Sequence, residues 1–166
     1  WMVTGGGRGG LLTQTAHRTT SIYDPITDAT QLGPQMTTER SFHTQTRLLD
    51  GRWLVVGGVN VTNDPQALCE IYDPVLDTFA AVAPMLVPRM GHTATLLANG
   101  KMLVTGGLQA MTTTPTALSA VHDATAATEI YDPVANTWTA ATSLRTPRCG
   151  HVAITRPNGR ILFANE

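Results

Sequence analysis

Apolar positions in this chain come in short runs broken by polar punctuation. Trp53-Leu54-Val55-Val56 is a run of four, Lys101-Met-Leu-Val-Thr105 is similar, and His92-Thr-Ala-Thr-Leu-Leu-Ala98 alternates and is rich in β-formers. No stretch sustains the 3.6-residue period of an amphipathic helix, so the pattern predicts an all-β fold of short strands. Between the two strand-like runs just quoted stands Asn99-Gly100, which reads as the central pair of a type I′ hairpin turn, and Asp50-Gly51 and Asn158-Gly159 occupy the same point elsewhere. A third kind of strand ends in Ile-Tyr-Asp-Pro, where proline cannot donate to a ladder and Asp-Pro favours a turn. The strand after it starts near Phe79 or Trp138.

These features recur. Ile-Tyr-Asp-Pro ends at Pro25, Pro74 and Pro133, placing Tyr23, Tyr72 and Tyr131 in register. Sixteen residues after each Asp stands an arginine (Arg40, Arg89, Arg148), and three residues further a histidine (His43, His92, His151). Seventeen residues beyond the first two arginines come Gly57-Gly58 and Gly106-Gly107, and the chain opens with the related pair Gly5-Gly6. Only the interval from Gly pair to Asp varies, being 19, 16 and 26 residues, so the length variation is confined to one connection per unit. A further Gly pair would fall at 165, where the chain has Asn165-Glu166.

A unit of four short antiparallel strands repeating every 49 to 59 residues is a natural propeller blade. The Gly pair, the Tyr, the aromatic seven residues later (Phe79, Trp138) and the Arg-x-x-His triplet together resemble the kelch repeat over essentially the whole chain, although the first copy has Thr30 at the aromatic position. Abundant Ala and Thr and a single Lys among the basic residues resemble bacterial kelch-type proteins, and the architecture is similar to the central domain of galactose-oxidase-like proteins. One propeller segment is therefore expected over 1–166: a partial blade at 1–32, blades at 43–82 and 92–141, and a partial blade at 151–166. About three repeat-equivalents are too few for a ring of four to eight blades. The chain thus reads as a piece of a longer polypeptide or as a unit that self-associates through open blade edges.

Charge and motifs narrow the function. Eleven basic residues against twelve acidic ones leave a net charge of −1 and no basic surplus for nucleic acid, and no apolar run approaches the length of a membrane-spanning helix. Cys69 and Cys149 lack CxxC spacing and hold unrelated repeat positions, so no disulfide is expected. Gly5 to Gly10 satisfies a dinucleotide fingerprint, but no helix pattern follows it. Asn60-Val61-Thr62 fits a glycosylation acceptor in a surface loop, relevant only in a eukaryotic secretory pathway.

If strands alternate in direction, the variable loops at roughly 7–18, 59–67 and 108–126 share a face with the Arg-x-x-His triplets, and such loops are where binding residues usually sit. The 108–126 segment, with Met111, Pro115 and His122, reads as a lip of that face. Arg40, His43, Arg89, His92, Arg148 and His151 are thus the candidate binding residues. Repetition favours their tying blade to blade through backbone carbonyls; the sharper alternative is a basic ring near the channel that holds a carboxylate or polar ligand. A three-histidine metal site would need three imidazoles within coordination distance, and none is expected. The tyrosines read as packing anchors, the Asp residues as turn-formers, and Glu70 and Glu129, two residues before Tyr, as third-strand positions with a remote prospect of acid–base work.

No catalytic set assembles and no cofactor is implied. The resemblance to kelch propellers also covers copper-radical sugar oxidases, which use two Tyr, two His and a Tyr-linked Cys, but every Tyr here belongs to the repeat and no Tyr-His dipeptide occurs. The expected function is a non-catalytic interaction module that presents its loop face to a protein or glycan, in an extracellular or bacterial cell-surface setting. The alternative is a fragment of a sugar-acting propeller enzyme, oxidase-like or mutarotase-like, whose active site lies outside this chain.

Overall fold

The computed structural model describes residues 2–4, 7–8, 15–110 and 123–164, and the described residues form strands without an α-helix. The first strands are β1 (Met2–Thr4), β2 (Gly7–Arg8), β3 (Thr15–Ala16), β4 (Thr20–Asp24) and β5 (Ala29–Leu32). β1, β4 and β5 make one antiparallel sheet in that order, while β2 and β3 pair as a ribbon within the first variable loop. Next come two four-stranded meanders: β6 (Thr44–Arg47), β7 (Trp53–Val56), β8 (Cys69–Asp73) and β9 (Thr78–Val82), then β10 (Thr93–Leu96), β11 (Met102–Thr105), β12 (Thr128–Asp132) and β13 (Thr137–Ala141). β14 (Val152–Thr155) and β15 (Ile161–Ala164) pair as the last sheet. All pairings are antiparallel. Gly5 and Gly6, the 111–122 part of the lip with Met111, Pro115 and His122, and Asn165-Glu166 lie outside the described residues.

Successive sheets meet face to face, with the first strands β6, β10 and β14 side by side. This placement explains the hydrophobic pattern. Middle strands are covered on both faces, so Leu54, Val55 and Val56 are all buried and the sequence there is continuously apolar rather than alternating. Last strands lie outermost, and β9 and β13 expose most of their residues. One core fills the space between the second and third sheets, from Leu54, Val56, Cys69 and Ile71 on one side to Met102, Val104, Tyr131 and Trp138 on the other. Complete burial of each such Leu, Ile, Val or Met side chain is worth roughly 1.5–3 kcal/mol.

The hairpin turns differ from the expected type I′. In the turn before β11, Gly100 N–H donates to the Leu97 carbonyl (2.9 Å) and Leu97 N–H to Lys101 O (2.8 Å), and only Gly100 has positive φ (80°). Leu48–Arg52 and Arg156–Arg160 repeat those bonds, with Gly51 and Gly159 as the single left-handed residues. This is a longer turn closed by a glycine bulge. The residue before glycine stays at negative φ because its side chain is used: Asp50, Asn99 and Asn158 each accept the backbone N–H two residues on, at 3.0–3.1 Å.

Third-to-fourth strand turns are equally uniform. Asp24, Asp73 and Asp132 accept the N–H of Ile26, Val75 and Val134 at 2.8–3.0 Å, as turn-formers should. Each Tyr hydroxyl donates five residues ahead, to Asp28, Asp77 or Asn136, and these three sit at φ of 52–54°. Asx residues tolerate that conformation best after glycine. Tyr72 and Tyr131 face Phe79 and Trp138 across the ladder with ring centroids 5.1 and 5.0 Å apart.

Candidate functional site

The loop face is built around two buried ion pairs. Arg40 and Arg89 have no solvent exposure, and each binds the third-strand glutamate of the sheet that follows it: Arg40 to Glu70 at 2.5 Å, Arg89 to Glu129 at 2.6 Å. The Nη1 groups go to carbonyls, Arg40 to Gly57 and Leu68, Arg89 to Gly106 and Ala127, at 2.7–2.9 Å, and Arg40 Nη2 also donates to Thr38 Oγ1 at 2.5 Å. The carboxylates also hold the inter-blade connections. Glu70 accepts the N–H of Thr37 (2.6 Å) and Thr38 (3.3 Å), and Glu129 accepts those of Leu86 (2.6 Å) and Val87 (3.2 Å). Desolvation alone would raise the Glu70 pKa, but the Thr37 amide and the Arg40 charge outweigh it and hold the carboxyl below its ordinary range. Both ion pairs are therefore buried away from a ligand approaching from solvent, with the terminal nitrogens of each guanidinium engaged and Arg40 Nε without a hydrogen-bond partner among the described residues.

The glycine pairs sit directly over these knots. Gly57, Gly58, Gly106 and Gly107 all have φ between 59° and 99°. Gly58 N–H donates to Arg89 O at 3.0 Å and Gly107 N–H to Arg148 O at 2.8 Å, tying each loop to the following blade. A Cβ on Gly57 would lie 2.6 Å from Arg89 O, so both backbone conformation and close approach demand glycine.

The histidines line the inner edge. His92 Nε2 is 2.9 Å from the Thr44 hydroxyl of the preceding sheet; His151 Nε2 is 3.0 Å from that of Thr93 and 3.2 Å from that of Thr105. Burial first, then the charges of Arg89 and the neighbouring His43 and His151, bring the His92 pKa down to about 3, and burial lowers that of His151 as well. Both imidazoles are neutral at physiological pH. Between these inner strands runs an open groove of about 340 Å³, bordered by Thr44, Gln45, Thr46, His92, Thr93 and Ala94, with His151 and its neighbours at one end. Arg148 is half-buried and reaches Thr146 Oγ1 at 3.0 Å, and His43 is half-exposed.

Several groups that could do chemistry are withdrawn from it. The Tyr72 and Tyr131 hydroxyls are pushed up to about 12, in both cases chiefly by desolvation. Cys69 and Cys149 are free thiols, and desolvation raises buried Cys69 to about 12. Among the described residues no three His, Cys, Asp or Glu side chains converge to hold a metal ion, and no helix is long and apolar enough to cross a membrane.

Three features were not foreseen from the sequence. Glu70 and Glu129 were visible only as third-strand positions, because their separation from the arginines, 30 and 40 residues, changes with loop length. Asn136 and Trp138 reach across to the preceding sheet, Asn136 Oδ1 accepting Ala83 N–H (2.9 Å) and Trp138 Nε1 donating to Ala83 O (2.8 Å). Phe42, between Ser41 and His43, takes a left-handed conformation, and the clue was that its counterparts are Gly91 and Gly150.

Comparison with known proteins supports the same architecture. No family model matches the chain, and no curated protein matches it. Among solved structures, one titled "Structure of YjhT" superposes with a TM-score of 0.71 at 15% identity, over 92% of this chain and 52% of that one. The fold is a kelch-like β-propeller segment. The chain spans about half the length of the propeller it matches, and at this identity the likeness concerns the fold alone.

Proposed function

We propose that this chain is part of a kelch-type propeller that acts as a binding module, presenting its loop face to a protein or glycan partner without catalysing a reaction. The observation that carries the reading is the commitment of the repeated polar side chains to the scaffold: Arg40 and Arg89 to glutamates, the tyrosines to turn residues, His92 and His151 to threonines. What the scaffold leaves available is the set of connections that vary between copies and the open groove beside them. In this reading Arg40, Arg89, Arg148 and the three histidines serve binding by shaping the rim. An extracellular or cell-surface setting suits such a module.

A second reading has one observation in its favour: the chain corresponds to 52% of the matched propeller, so a sugar-acting site could be completed by residues beyond it. The polypeptide that carries this chain separates the two. It is screened on immobilised glycans and candidate cell-surface proteins, then incubated with reducing sugars while anomer ratios are followed by NMR, and with sugar alcohols while peroxide is followed. Binding that disappears when residues 61–64 are replaced by Gly and Ser, with no turnover, supports the module. Turnover that survives this replacement overturns it.

A further inference from the structure

Phe42 stands where the repeat otherwise places glycine. Its φ is 55°, matching Gly91 at 58° and Gly150 at 60°, and the three residues form one strip along the rim: Gly91 N–H donates to Phe42 O at 3.1 Å and Gly150 N–H to Gly91 O at 2.9 Å. A bulky L-residue in this region is strained. Phe42 is also incompletely packed, with 46% of its surface exposed. Crowding does not explain glycine in the other copies. A Cβ on Gly91 would meet nothing nearer than Gly150 N at 3.9 Å, and one on Gly150 would meet nothing within 4 Å. Among the described residues nothing therefore crowds the neighbouring strip of backbone. The conformation of Phe42 is held from both sides, by the Ser41–Val59 backbone pair (2.8 and 3.1 Å) and by the Gly91 bond.

A strained, exposed aromatic held in place by its surroundings is a feature that function retains more readily than stability does. We propose that Phe42 is a stacking platform for a pyranose ring, with the Phe42–Gly91–Gly150 strip as the floor of a carbohydrate subsite on the loop face. This rests on the binding-module reading and names its ligand class. A sugar ring offers a face of C–H bonds to the negative face of an aromatic ring and hydroxyls at its edge. The groove that begins two residues beyond Phe42 offers the same mixture, the hydroxyls of Thr46 and of Thr44 and Thr93, which also bond His92 and His151, set among the apolar Ala94, Val152 and Ala153.

The test uses neutral cello-, chito-, malto- and xylo-oligosaccharides against the polypeptide that carries this chain, its Phe42→Gly and Phe42→Trp variants, and the variant with residues 61–64 replaced. Binding is read by calorimetry and by the amide shifts of Phe42, Gly91 and Gly150. The expected result is that one series binds and shifts these three amides. Phe42→Gly weakens it at least tenfold while raising the thermal midpoint, and Phe42→Trp retains it. A thermal midpoint that falls in Phe42→Gly with affinity unchanged makes Phe42 a packing residue and overturns the proposal. Oligosaccharide binding that ignores Phe42 but follows residues 61–64 also overturns it, while leaving the binding module standing. Capture of a defined protein ligand with no oligosaccharide binding does the same. Failure to bind either class removes both readings.

Discussion

A guanidinium without solvent contact requires an anion beside it, and Glu70 meets that need for Arg40 as Glu129 does for Arg89. Each pair is also the hub for two backbone amides and two carbonyls, so losing one partner strands the other charge among groups aimed at it. Arg40→Met and Glu70→Leu should each cost about 3–5 kcal/mol. In a double-mutant cycle by urea unfolding, the double variant should cost less than the sum of the singles, with a coupling of at least about 1 kcal/mol. Additive costs would mean that the two side chains act independently. Both members of the pair were legible as recurring residues. Their partnership was not, because the connection between them differs in length from blade to blade, and only superposed strands bring Glu70 back to Arg40.

At the scale of the element, the strands and their turns were largely legible, because each turn carries its own chemistry: Asx-Gly before the second strand, Asp-Pro after the third. The expected type I′ geometry failed for a local reason. A side chain that bonds the amide two residues on, as Asn99 does with Lys101, leaves one left-handed residue instead of two. Ties between elements were less visible. Asn136 ends a turn that any Asx residue could make, yet its Oδ1 also accepts Ala83 N–H from the preceding sheet, which Asp77 is not seen to do for its own neighbour. Asn136→Gly preserves the positive φ while deleting both side-chain bonds. It should destabilise by about 1–3 kcal/mol, measured as a shift in the urea midpoint, whereas a change of a few tenths would show the bond to Ala83 N–H to be expendable.

Across the whole molecule, pH reads out the joints between blades. The native His92 pKa of about 3 lies below the ordinary 6.5, so the unfolded chain takes up a proton that the folded one refuses. Stability is then complete above pH 6.5 and falls as pH drops from there toward 3, with a slope of up to about 1.4 kcal/mol per pH unit for one such site. His151, shifted in the same direction, adds to the slope, and Glu70, held below its usual 4.5, extends the loss at lower pH. Urea midpoints should therefore fall between pH 7.5 and 5, and His92→Gln should flatten that fall. An unchanged slope in the variant would remove His92 as its source.

The amino-acid order by itself determined strand content, the repeat, its turn positions and the side on which length varies, because these follow from local rules: alternation, φ preferences and short-range hydrogen bonds. Tertiary structure alone decided which buried charges pair, which glycines are needed for close approach and which for conformation, and that Phe42 holds a strained, exposed place on the rim. Those outcomes depend on distances between blades, set by packing among residues tens of positions apart, which no fixed spacing along the chain encodes.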